Sequence, residues 1–192
     1  MSIRRKRTLA ALFQQSDDLD KVLYQVLLVI VGSTLLTVSA KLHIPFWPVP
    51  ITLQTLVVLL VADVFGFWLG IATVIIYLAE GAIGWPVFAN GSGLDYFTGP
   101  SGGFLVGFVV SAALVGHLAE RGYDRRWRTA LIVFLAGDVV LFAFGIAWLT
   151  YLFGATRAIW MGLIPFAFAE AIKILLAMAL LPYAWKIAGS RY

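Results

Sequence analysis

Residues 129–149, TALIVFLAGDVVLFAFGIAWL, form an almost uninterrupted apolar run in which Asp138 is the one ionisable residue. A helix needs about 20 mostly apolar residues to cross the hydrocarbon core of a bilayer, so this stretch predicts a transmembrane helix. The composition of the whole chain agrees, since 61% of its residues are hydrophobic and 12% are charged. Soluble domains carry roughly 25% charged residues. We therefore predict an all-α integral membrane protein.

Five further apolar segments flank this run on both sides. They predict a six-helix bundle within residues 22–187, in a single membrane domain that covers residues 1–192. Residues 1–21 are predicted to form an N-terminal tail or, over 7–16, a short amphipathic helix, and residues 188–192 a C-terminal tail. The second segment is short for a full span. The five segments are 22–42, 52–65, 67–83, 103–120 and 165–186.

The distribution of Lys and Arg predicts the orientation of these spans. Six spans place both termini on one side, and 11 of the 14 basic residues then fall on that side. Because basic loops stay in the cytoplasm, both termini are predicted to be cytoplasmic. The basic residues cluster at the two ends of the chain and in one loop, which excludes a nucleic-acid-binding face. The opposite side carries three connections, 43–51, 84–102 and 150–164, whose aromatic residues predict a ligand site.

Ionisable residues inside spans are costly and usually functional. Glu170 and Lys173 are three residues apart, so they share one face of the last helix and either neutralise each other or hold a polar ligand. Asp138 either joins this site or has a structural partner. Glu80 is expected to reach the membrane interface, and Asp63 to cap a helix or reach the interface.

Several loop residues are further candidates for ligand contact. Trp47 lies in the first outer connection, and the amide of Asn90 lies in the second, where an Asn is also common in turns. The turn 99–103 leads into the fourth span, where backbone N–H groups near Ser101 and Gly102 would favour a carboxylate. Small residues at Gly103, Gly107 and Ser111 predict close helix packing.

Other classes of function lack their motifs. The sequence contains no phosphate-binding loop, so no ATP site is predicted. Residues 99–103 match G-x-S-x-G, but His43 and His117 are predicted on opposite sides of the membrane, so no hydrolase is expected. With two His and no Cys, neither a metal site nor a cofactor is predicted.

Three motifs resemble one known family. PVPITLQT (48–55), GAIGWPVFA (81–89) and GPSGGF (99–104) are similar to the BioY proteins, the biotin-binding substrate (S) components of energy-coupling factor (ECF) transporters. The resemblance implies an S-component bundle of six helices, and partners comprising a membrane coupling subunit and ABC-type ATPases. It also implies high-affinity capture of biotin from outside, under a lid formed by residues 43–51. The family's docking face on the first helix is matched only loosely, by Ser33 and Thr37.

The resemblance also implies the contacts to the ligand. The family carries Asp-x-x-Lys in its last helix and a loop Asn, which correspond here to Glu170, Lys173 and Asn90, with Glu in place of the usual Asp. Lys173 would contact either the ureido ring or the valerate carboxylate. The alternatives are an S component for another vitamin, or a secondary transporter that uses Asp138, Glu170 and Lys173. The expected ligand-binding residues are Trp47, Gln54, Asn90, Ser101, Gly102, Asp138, Glu170 and Lys173.

Overall fold

The computed structural model describes residues 8–12 and 18–187, and it is mostly helical. Residues 1–7, 13–17 and 188–192 lie outside the described part, and so do half of the predicted N-terminal helix over 7–16 and the predicted C-terminal tail. The elements are α1 (Leu9–Leu12), α2 (Asp18–Lys41), β1 (His43–Ile44), β2 (Ile51–Thr52), α3 (Gln54–Phe65), α4 (Phe67–Ala82), α5 (Asp95–Thr98), α6 (Gly102–Glu120), a 3₁₀ turn (Tyr123–Arg125), α7 (Trp127–Phe153), α8 (Ala155–Ala158), a π-helix (Ile159–Leu163) and α9 (Ile164–Ile187).

Four stretches are long and apolar enough to cross a membrane: Leu19–Lys41, Gly102–Glu120, Trp127–Phe153 and Ala155–Pro182. The remaining two predicted segments correspond to α3, with 12 residues, and α4, with 16 residues. At 1.5 Å per residue, α3 is about 18 Å long, well short of the hydrocarbon core of about 30 Å. The short second segment was predicted, but the length criterion supports four spans rather than six.

The N-terminal part of the chain differs from the prediction at the start of the first long helix. The first long helix begins at Asp18, four residues before the predicted start at 22. The short helix α1 lies against the bundle, because Leu9 and Ala10 are buried and the Tyr24 hydroxyl donates to the Ala10 carbonyl at 3.2 Å.

The connection 150–164 was predicted to be irregular, and the structure shows it to be almost entirely helical. α7 continues to Phe153, and a single residue, Gly154 with φ of +84°, separates it from α8. A π-helix then leads into α9 just before Pro165. Since proline has no N–H to donate to the carbonyl one turn earlier, a local widening of the helix at this point is expected.

The connection 43–51 also differs from the prediction of an irregular loop. His43 pairs with Thr52 and Ile44 with Ile51, which makes a two-stranded antiparallel hairpin. The fold is therefore not strictly all-α. The second outer connection contains the single-turn helix α5 and a bridge between Phe88 and Gly91.

Helix α6 lies at the centre of the bundle, and its small residues allow the neighbouring helices to approach closely. A Cβ atom added at Gly107 would lie 2.6 Å from the Leu141 carbonyl oxygen of α7, and one at Gly116 would lie 2.6 Å from the backbone of Gly66. The predicted stripe of small residues on α6 thus packs within the chain. By contrast, α2 leaves side chains such as Leu23, Leu27 and Ile30 about half exposed, as a lipid-facing helix requires.

The expectation for Asp63 is wrong, whereas the expectation for Glu80 stays a prediction. The Ser33 hydroxyl of α2 donates to the Glu80 carboxylate of α4, so this half-buried acid joins two helices. Asp63 is 1% exposed, and neither of its carboxylate oxygens has a hydrogen-bond partner in the described part of the chain. It therefore neither caps a helix nor reaches the interface.

Candidate ligand-binding site

A cavity lies at the end of the bundle where α3 and α6 begin. The hairpin and the second outer connection cover it, and α7 and α9 close its side. Its free volume is about 30 Å³, which is room for one or two water molecules. The lining residues are Val49, Pro50, Thr52, Gln54, Thr55, Phe88, Tyr96, Ser101, Phe104, Leu105, Phe108, Phe142, Phe166, Glu170 and Lys173.

A compact polar network forms the floor of this cavity. Lys173 Nζ lies 2.6 Å from Glu170 Oε1, and both residues are 4% exposed. The Thr55 hydroxyl donates to Glu170 Oε2 at 2.7 Å and accepts from Lys173 Nζ at 2.9 Å. Because Glu170 and Lys173 are one turn apart on α9, the helix itself sets their pairing. Thr55 then fixes both groups from α3, and a buried pair with this many hydrogen bonds tolerates the loss of water.

Sequence reasoning missed the role of Thr55. Gln54 and Thr55 are the only polar residues in the first turn of α3, which is otherwise apolar as far as Asp63. A polar pair at the start of a buried apolar helix was the available signal. Its partner on α9 could not be found from spacing, because 115 residues separate Thr55 from Glu170.

A second polar chain supports the wall of the cavity. The Gln54 amide donates to the Tyr77 hydroxyl at 2.8 Å, and that hydroxyl donates to the Val87 carbonyl at 3.2 Å. Tyr77 is fully buried in α4. This chain of bonds therefore ties the start of α3 to the second outer connection through α4, and Tyr77 is another residue that the sequence did not single out.

Aromatic rings make up much of the remaining wall. Phe104, Phe142 and Phe166 contact one another, with centroid separations of 5.5, 6.2 and 5.8 Å. On the opposite side, Phe88 stacks on Tyr96 at 4.5 Å. Burial raises the pKa of the Tyr96 hydroxyl above its ordinary value, so it remains a hydrogen-bond donor at neutral pH. The cavity thus combines an apolar ring cage with a charged floor, as sites for small polar-headed ligands do.

Four of the eight predicted ligand-binding residues line this cavity: Gln54, Ser101, Glu170 and Lys173. Asp138 does not line it, although its carboxyl lies close enough to Glu170 and Lys173 to interact with both. Asp138 was predicted to contact the ligand, and the structure places it behind the floor of the cavity rather than on it.

The other three predicted residues lie away from the cavity. Asn90 is exposed and lines an outer depression that shares Pro50, Tyr96 and Ser101 with the cavity. Trp47 is 66% exposed at the tip of the hairpin and packs on Phe153. Asn90 and Trp47 do not reach the charged floor of the cavity, because the hairpin and α5 lie between the outer surface and that floor.

Gly102 is buried, and its N–H already donates to the Gly99 carbonyl at 3.0 Å. A Cβ atom at this position would lie 1.9 Å from the Phe97 carbonyl oxygen. Its role in the structure is therefore the tight entry into α6, and its N–H does not point to an open anion site. Within residues 8–12 and 18–187, no three His, Cys, Asp or Glu side chains come together as metal ligands would.

The chain is similar to named biotin transporters. It is 39% identical over 147 residues to the biotin transporter BioY of Thermotoga maritima, covering 76% of this chain and 86% of that protein. It is 36% identical over 163 residues to the biotin transporter BioY2 of Lactococcus lactis, covering 80% of this chain and 86% of that protein.

The fold has a counterpart among solved structures. A crystal structure of the S component for biotin from an ECF-type ABC transporter matches with a TM-score of 0.75 and 24% identity, over 90% of this chain and 95% of that chain. At this identity the match establishes the fold alone. The sequence profile of the BioY family matches residues 10–190. The resemblance drawn from the three motifs is thus confirmed, and the chain belongs to the BioY family.

Proposed function

We propose that this chain is the biotin-binding S component of an ECF-type vitamin transporter. The observation that carries the proposal is the buried Glu170–Lys173 pair, bridged by Thr55, at the floor of an aromatic cavity. The names of its relatives, biotin transporters in Thermotoga maritima and Lactococcus lactis, support the choice of ligand.

The chemistry of the floor suits the ureido ring of biotin. This ring presents one carbonyl acceptor and two N–H donors. Glu170 would accept from an N–H, while Lys173 would donate to the carbonyl, and Thr55 holds both side chains in place. The rings of Phe104, Phe142 and Phe166 would pack against the fused bicycle. Truncating one member of such a buried pair costs about 2–5 kcal/mol of binding free energy.

The cavity must enlarge to admit this ligand. A free volume of about 30 Å³ is far below the roughly 300 Å³ or more of an occupied small-molecule pocket. Val49 and Pro50 of the hairpin cover the cavity and are not part of any long helix. We propose that residues 43–51 form the lid that moves, and that Trp47 and Asn90 contact the ligand or the lid in the open state.

The proposed topology has six crossings, with α3 and α4 as two short ones joined at Gly66. Residues 22–187 form one membrane domain, and both termini face the cytoplasm of a prokaryotic cell. The bias of Lys and Arg toward one side supports this orientation. A membrane coupling subunit and ABC-type ATPases would energise transport. The chain itself would not be an enzyme and would need no cofactor, since it carries no phosphate-binding loop.

One observation favours a second candidate function. Asp138 adjoins Glu170 and Lys173, so three ionisable groups meet in the middle of the bundle. A stand-alone secondary transporter would use such a cluster to couple an ion to its substrate. In that case, liposomes that contain only this chain would accumulate substrate when an ion gradient is applied, and would do so without any ATPase.

The direct test is biotin binding by the purified chain in detergent. We expect the wild type to bind with sub-micromolar affinity, and Glu170→Ala and Lys173→Ala to weaken binding by about 100-fold or more. Glu80→Ala is the matched control, because it also removes an intramembrane acid that is hydrogen-bonded to a hydroxyl, yet it lies outside the cavity.

Two results would overturn parts of the proposal. Absence of sub-micromolar biotin binding by a well-folded wild type would overturn the assigned ligand, and a panel of other vitamins would then identify the right one. Unchanged affinity in both variants would overturn the site but leave the ligand standing. Biotin methyl ester separates the two roles of Lys173, because the ester loses affinity for the wild type only if the carboxylate is bound.

A further inference from the structure

The loop between α6 and α7 concentrates arginine at one end of the molecule. Arg121, Arg125, Arg126 and Arg128 fall in this short stretch. The ligand cavity is lined by residues at the start of α6, whereas this loop follows its end. With 19 residues in α6, the two regions are about 28 Å apart along the helix. The loop therefore lies at the opposite membrane surface from the cavity, and it contributes no residue to the proposed ligand site.

The arginine side chains surround an open depression. Its volume is about 480 Å³, and it is lined by Arg125, Arg126, Trp127, Arg128 and Thr129. The Arg128 guanidinium lies 5.2 Å from the centroid of the Trp127 ring, and the ring itself is 60% exposed. A half-exposed Trp beside arginines is the composition expected at the level of the lipid headgroups.

Two of these arginines, Arg126 and Arg128, are not paired with the acids nearest to them in sequence. Asp124 is 1% exposed, and the half-buried Glu120 accepts a hydrogen bond from the Phe67 N–H at 3.1 Å. Over the described ranges, Arg126 and Arg128 form no ion pair with a carboxylate. Both side chains are exposed. Their positive charge is therefore available to an external anion.

We propose that this depression binds the headgroup of an anionic phospholipid from the surrounding bilayer. Guanidinium groups bind phosphate oxygens in a bidentate manner, and the indole of Trp127 fits the adjoining headgroup region. The depression opens at the first turn of α7, whose N–H groups also favour an anion. Basic pockets at the membrane surface recognise anionic headgroups in this way.

Thermal unfolding of the purified full chain in mixed micelles tests this site. Phosphatidylglycerol should raise the Tm several degrees more than the same amount of phosphatidylcholine does. Arg126→Gln and Arg128→Gln should each lose at least half of that difference. Arg121→Gln and Arg157→Gln serve as matched controls, because each removes one exposed arginine from outside the depression and should retain the difference.

Three outcomes would overturn the lipid site. Equal stabilisation by the two lipids would show that no headgroup is recognised. Equal losses in the depression variants and the controls would show that only net charge matters. Inorganic phosphate that reproduces the full effect of phosphatidylglycerol would show that the ligand is a free anion rather than a lipid. Biotin binding, measured on the same samples, reports on the proposed function separately.

Discussion

Two buried acids lie beside α3 or on it and differ in their hydrogen bonding. Glu170 of α9 is hydrogen-bonded near the start of α3, and Asp63 lies near the end of α3. Near the start of α3, Thr55 and the neighbouring Lys173 give the Glu170 carboxylate a bond on each oxygen. Near the end of α3, Asp63 is even more deeply buried and has no hydrogen-bond partner among the described residues. Its charged neighbour is Asp124, another acid. Burial alone thus does not distinguish the two acids. What distinguishes Glu170, the acid that we propose binds the ligand, is its preformed set of hydrogen-bond donors.

The largest effect should come from breaking the ion pair between Glu170 and Lys173. Lys173→Met leaves Glu170 buried without its cation, which costs about 3–5 kcal/mol. Thermal unfolding in detergent should show a Tm lower by roughly 10 °C. The double variant Glu170→Gln/Lys173→Met is the control and should recover most of this loss. If the double variant is as unstable as the single one, the cost arises from packing rather than from an unpaired charge.

Removal of the bridging hydroxyl should have the next largest effect. Thr55→Val deletes the donor to Glu170 and the acceptor for Lys173, with an expected loss of about 1–3 kcal/mol in unfolding free energy. Ligand affinity should fall with it, because both polar groups become free to turn. Thr55→Ser keeps the hydroxyl and should behave like the wild type. A Val variant with unchanged stability and affinity would show that α9 holds the pair without help.

A smaller loss is expected in the supporting chain of bonds. Tyr77→Phe removes the acceptor for the Gln54 amide and the donor to the Val87 carbonyl, which should cost about 1 kcal/mol. Tyr151→Phe removes a hydroxyl from an 80% exposed side chain and is the matched control. Equal Tm values for the two variants would contradict a structural role for the buried hydroxyl.

The smallest effect is predicted for Asp63, which has no hydrogen-bond partner in the part of the chain that the structure describes. Asp63→Asn keeps the shape of the side chain and removes its charge beside Asp124. Because no described hydrogen bond is lost, the unfolding free energy should stay within about 1 kcal/mol of the wild type or increase. Glu80→Gln is the contrasting variant, since Glu80 accepts from Ser33. A clear loss of stability in Asp63→Asn would mean that this carboxylate has a partner.

The sequence predicted the parts of this molecule that depend on local rules. Apolar runs located every long helix, and the spacing of Glu170 and Lys173 placed them on one face of α9. Local rules failed in two connections that were predicted to be irregular. Residues 43–52 form a hairpin whose two strands pair with each other, and the path through 150–164 is helical and interrupted only at Gly154.

The site itself was only partly predictable, because several of its contacts join helices that are far apart in the chain. The charged pair on α9 could be read from the sequence, whereas its bridge at Thr55 and the Gln54–Tyr77 bond depend on contacts between helices that are far apart in the chain. Trp47 was predicted as an aromatic loop residue, and Asn90 as a loop amide that also matches the loop Asn of the BioY family. Neither residue lines the closed cavity.

The small volume of the cavity has a kinetic consequence. If the site accepts ligand only while its cover is displaced, the association rate is multiplied by the fraction of time spent open. The apparent dissociation constant rises by the same factor, so a site open for one part in a hundred loses about 100-fold in affinity. Once the cover closes over a bound molecule, however, escape must wait for the next opening. A cavity of about 30 Å³ therefore favours long residence over rapid exchange, which suits the capture of a scarce nutrient.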